Sequence, residues 1–161
     1  MKEMKRILFA SALVLFGATF ANAQEVAEVD NQYIQLDANQ EPINKVNLTL
    51  EDLQAQVGEL EPILETDAFQ LYAAGDYTYR VQDGVVVSET VQIADDADDN
   101  VVYNRILNAL AKSKPIRDTH NTGGNFYQYA NFQLQFDDFK GYTKLTFQAL
   151  PSNTDLTENN E

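Results

Sequence analysis

His120 is the one imidazole in the 161-residue chain, and there is no cysteine. Those two counts exclude thiol nucleophiles and cysteine metal sites, and a histidine zinc site lacks ligands. A Ser-His-Asp triad would have to join His120 to Ser88, Ser113 or Ser152, none of which lies in a nucleophile-elbow pattern. Gly123-Gly124 lacks the Lys-Ser/Thr pair of a phosphate loop and precedes a strand pattern instead of a helix. His120 itself falls in "HNTGG", a run of turn formers. No cofactor is implied.

Two constellations remain. Asp95, Asp96, Asp98 and Asp99 could supply oxygen ligands to calcium, although the run has neither the spacing nor the Gly of an EF-hand. The competing reading is a solvated turn that caps the next helix. The second constellation lies in "NFYQYANFQLQF", residues 125–136. Read as one strand, it puts Phe126, Phe132, Leu134 and Phe136 on a core face. Tyr127, Tyr129, Asn131, Gln133 and Gln135 then share the other face, whose rings and amides suit recognition of a glycan or a protein. The alternative is that this face is merely solvated or lies under the N-terminal segment.

The elements that position these residues follow from periodicity. Thr49 with Asp52 marks the start of a short helix, Leu50 to Val57, closed by Gly58 after a strand ending near Leu48. Residues 31–37 suggest another short strand. Val102, Tyr103, Ile106, Leu107 and Leu110 form the stripe of the main helix, about 100–113, with Asp98, Asp99 and Asn100 at its start and Pro115 beyond its end. A hairpin over about 76–93 is expected to turn through a three-residue loop, Gln82 to Gly84. That loop sets Tyr79 opposite Val87 and gathers Val85, Val87, Val91 and Ile93 on one face. A second hairpin, within 125–149, is expected to turn through Asp138 to Gly141, pairing Phe136 with Thr143 and Leu134 with Leu145. The expected fold is α+β, an antiparallel sheet with helices on one face. No internal repeat at a fixed period is visible.

The ends set the compartment. Lys2, Lys5 and Arg6, an apolar run from Ile7 to Phe20, and Ala21-Asn22-Ala23 have the order of a secretory signal peptide cleaved after residue 23. What remains is 138 residues with 8 basic and 24 acidic side chains, a formal charge of −16. Residues 24–150 make one domain by length, and the acidic tail from 151 is too polar to fold. The charge disfavours nucleic acid and anionic lipid, and no second segment is apolar enough to span a bilayer. The acids concentrate in residues 24–99, whereas Lys112, Lys114 and Arg117 offer a basic cluster for a head-to-tail or partner contact. The sequence therefore points to a small exported protein of bacterial type, periplasmic or released, binding a protein or glycan and not catalytic. Two alternatives are a small hydrolase of paired-carboxylate type and a structural envelope protein.

Overall fold

The computed structural model describes residues 34–95 and 101–151; the expected signal segment, the first residues of the expected strand at 31–37, most of the acid run and the tail lie outside the described residues. Helix α1 spans Leu50–Val57. The Thr49 hydroxyl accepts from the Asp52 amide at 3.1 Å, which satisfies one of the orphan N–H groups of the first turn, and Gly58 ends the helix at φ 96°. Four strands follow: β1 (Pro62–Glu65), β2 (Gln70–Ala74), β3 (Tyr77–Gln82) and β4 (Val85–Ala94). Helix α2, Val101–Leu110, leads into β5 (Arg117–Asp118), β6 (Phe126–Gln128), β7 (Phe132–Phe139) and β8 (Tyr142–Ala149). The strands form one antiparallel sheet in the order β1-β2-β3-β4-β8-β7-β6-β5, so the fold is α+β as the pattern implies.

That order is a palindrome of two equal halves. Each half is a helix followed by four strands, and the two meet at the antiparallel β4–β8 seam. A pseudo-two-fold axis through the seam exchanges them. The row Tyr72–Tyr79–Glu89 in the first half then corresponds to Tyr127–Leu134–Phe147 in the second, and Glu89 pairs with Phe147 across the seam. The sequence shows no such repeat because only topology and row positions are shared, not residue types.

One face of the sheet carries the core. Ile106, Ala109 and Leu110 of α2 pack on Val91, Ile93, Phe132, Leu134, Phe136, Leu145 and Phe147. Leu53 of α1 packs on Tyr72, Tyr79, Val81 and Val86. The opposite face is polar and half-accessible. Its rows run Thr78–Thr90–Thr146–Gln135–Phe126 and Arg80–Ser88–Gln148–Gln133–Gln128–Arg117.

Four expectations need correction. The first hairpin turns through two residues, Asp83 (φ 51°) and Gly84 (φ 76°), the double positive φ of a type I′ turn. Val81 therefore faces Val86. A bulge then places Val87 as the extra residue, so Tyr79 faces Glu89 and Arg80 faces Ser88. The bulge reconciles the two parities: Val86 is buried ahead of it, and Glu89, Val91 and Ile93 after it. The second hairpin turns through Lys140-Gly141. It pairs Phe136 with Leu145 and Leu134 with Phe147, a slip of two residues that leaves each side chain on its expected face.

The remaining two corrections concern the flanks. Residues 62–65, to which periodicity assigns no element, form the edge strand β1, with Ile63 and Leu64 exposed. In the first segment, Leu36 makes an isolated bridge to Pro42 around a turn held by the Asp37 carboxylate. The chain then runs along the start of β4: Asn47 N–H donates to Val86 O and Val86 N–H to Leu48 O, both at 2.8 Å. This contact lies ahead of Ser88, where β8 begins to pair.

Candidate binding cleft

The stretch 125–136 is not one strand. It is a hairpin, β6 and β7, turning at Ala130-Asn131, with Tyr129 N–H donating to Phe132 O at 2.9 Å. The turn inverts the parity of everything ahead of it. Tyr127 and Tyr129 enter the core at 5% and 0% exposure beside Phe132, Leu134 and Phe136, while Phe126 turns to the open face. Tyr129 stacks on Phe132 at 4.8 Å, and its hydroxyl bonds to Ser113 at 2.8 Å. Burial pushes Tyr127 and Tyr129 up to about 12, the first aided by Asp118 and the second opposed by Ser113. The five residues expected to share one exposed face are thus divided. Asn131 sits exposed in the turn, and Gln133 and Gln135 remain on the open face.

The other candidates are also dispersed. Asp95 accepts from the amides of Val102 and Tyr103 at 3.3 and 3.2 Å, capping α2; Asp96, Asp98 and Asp99 lie outside the described residues. His120 lies in a short 3-10 turn, His120–Thr122, with its ring 5.6 Å from that of Phe136. Ser88 is on the open face, Ser113 is bound to Leu110 O and Tyr129, and Ser152 lies outside the described residues, so among the described residues no triad assembles. Gly124 packs on Thr119, where a β-carbon would lie 2.3 Å from Oγ1. Among the described residues no group of three or more His, Cys, Asp or Glu is placed to hold a metal.

A site that sequence reasoning missed lies in the first half. Glu89 is 5% exposed, and its Oε2 accepts from the Lys45 amide at 2.5 Å. Burial raises its carboxyl above the ordinary value, and the amide and charge of Lys45 oppose that rise without cancelling it. The Lys45 ammonium donates to Gln56 on α1. Tyr79, the cross-strand partner of Glu89, is 3% exposed, and its ring stacks on Tyr77 at 6.3 Å and 12°. Burial, then Glu89, then Tyr77 raise its phenol.

These groups line a cleft of about 450 Å³ between the sheet and the chain at 43–45, with Val57, Ala74 and Ile43 as apolar wall. The volume is that of a small-ligand pocket. The sequence signal, had it been sought, is Glu89: a lone acid on the buried parity of a strand otherwise filled by Val86, Val91 and Ile93.

The second half shows why the cleft exists. Ala74 precedes the β2–β3 turn and pairs with Tyr77, the position that Tyr129 holds before the β6–β7 turn opposite Phe132. Where the second half places Tyr129 and Phe147, the first places Ala74 and Glu89. The loss of two rings leaves space, and the acid lines it. Comparison of the chain with protein-family models, curated proteins and solved structures finds no match.

Proposed function

We propose that this is a small exported binding protein, not a catalyst, that holds a polar group of its ligand in the cleft of the first half. The observation that carries the reading is the buried carboxylate of Glu89 lining an open cleft at the position whose counterpart is Phe147. Burying an acid without a full set of partners costs stability, and a purely structural sheet would fill the site with a ring, as the other half does. A hydrolase of the paired-carboxylate type needs a second acid, and Glu89 is the one carboxylate among the described lining residues. Export rests on the order of charged, apolar and small residues in 1–23.

Ligand-observed NMR of the full exported chain against a library of sugars, amines, amino acids and organic acids tests the reading. At least one class should bind, and Ala74→Leu, which narrows the cleft, should remove that binding. Gln133→Ala with Gln148→Ala, on the open face, should leave it unchanged. Binding that ignores Ala74→Leu but falls with the glutamine pair would move recognition to the open face and sink the proposal.

A further inference from the structure

The geometry points to an organic cation as the occupant of the cleft: a primary ammonium or guanidinium on a short apolar stem, its charge against Glu89 and its stem against Tyr77, Val57 and Ala74. This rests on the cleft being the binding site. Three independent features converge on it. First, among the described residues the Glu89 carboxylate has one donor, the Lys45 amide to Oε2. The Lys45 ammonium donates to Gln56, and its charge offsets the burial of Glu89 only in part, so a donor-rich positive group would meet an under-compensated acid.

Second, the stacked rings of Tyr77 and Tyr79 form one wall. Aromatic faces attract cations, more strongly when the pair is partly desolvated. An anionic ligand would instead be repelled by Glu89. Third, the charge of the first half has the right sign: the described residues 34–95 carry 12 acidic and 2 basic side chains. That field concentrates cations at the first half and not at the second, where residues 100–150 hold 6 basic and 3 acidic side chains. The equivalent position in the second half offers no such site, because Tyr129 and Phe147 occupy it at 0% and 2% exposure.

The probes are n-butylammonium, its neutral isostere 1-butanol, and methyl glucoside, each titrated into the full exported chain at constant sodium chloride and followed by amide NMR. Butylammonium should give saturable shifts at Ala74, Tyr77 and Tyr79 and bind at least about tenfold more tightly than butanol. Glu89→Gln should erase that difference, and Ala74→Leu should abolish the shifts while the carboxylate stays in place. The second variant decides the matter if Glu89→Gln does not fold. Equal binding of butanol or the glucoside, displaced by Ala74→Leu, overturns the cation assignment and leaves the cleft as a binding site. Butylammonium shifts spread over the acidic surface and insensitive to Ala74→Leu would mean charge screening and overturn it too. No response at the cleft to any probe overturns the assignment outright, whereas the cleft reading itself stands or falls with the wider library.

Discussion

Glu89 and Phe147 face each other across the β4–β8 seam, on the pseudo-two-fold axis of the sheet, each in the place the other holds in its own half. One side of the axis is thus a carboxylate and the other a phenyl ring, at 5% and 2% exposure. The asymmetry marks where the first half gives up packing.

That cost has a pH signature. The folded Glu89 carboxyl is raised by burial, so between the ordinary carboxylate value and the folded value the native state holds a proton that the unfolded state has lost. The contribution is full below that window and declines as pH rises through it. Urea unfolding of the Glu89→Gln chain should lack this decline and show a gain over the parent at neutral pH. A parallel pH profile for the two proteins would mean that Glu89 is not buried in solution.

Tyr129 and Phe132 should behave as core residues. Phe132→Ala is expected to cost about 3–5 kcal/mol in urea unfolding. Tyr129→Phe should cost about 1 kcal/mol by losing the Ser113 bond, and Tyr127→Ala with Tyr129→Ala should prevent folding. A double variant that melted with the parent would contradict the β6–β7 hairpin.

Thr143 is 0% exposed, and its hydroxyl is without a hydrogen-bond partner among the described residues. Thr143→Val keeps the shape and removes the orphan group, so it should raise stability by about 1 kcal/mol, seen as a melting temperature a few degrees higher. A lowered melting temperature would show that the hydroxyl is satisfied, for instance by water.

The β3–β4 turn places Gly84 at φ 76° with open space around it. Gly84→Ala should therefore destabilise through backbone strain alone, by about 1 kcal/mol or more, measured in the same urea series. An unchanged midpoint would mean that the turn is not type I′.

If the proposed signal peptide is cleaved, mass spectrometry of the mature protein should find Gln24 at the N-terminus. Detection of Met1, or of a start well beyond residue 30, would contradict the signal-peptide reading.

Local rules were enough for much of the fold. Thr49, Asp52 and Gly58 specify α1 because a cap and a stop act within one turn of chain, and the Ile106–Leu110 stripe specifies the buried side of α2. Gly84 and Gly141 locate the two turns, although the expected loops were one and two residues longer than those that form, and the parity of β7 and β8 gives their buried faces. Registers were less legible, since a bulge at Val87 changes parity without any residue that announces it. The hairpin at Ala130-Asn131 has no Gly or Pro, so a string of alternating residues read equally well as one strand, and two core tyrosines were assigned to the surface. The tertiary structure alone decided which halves meet at the seam, and therefore that Ala74 and Glu89 stand where Tyr129 and Phe147 fill the other half. A cleft is a difference in volume between residues distant in the chain, and it exists only once the sheet has brought them together.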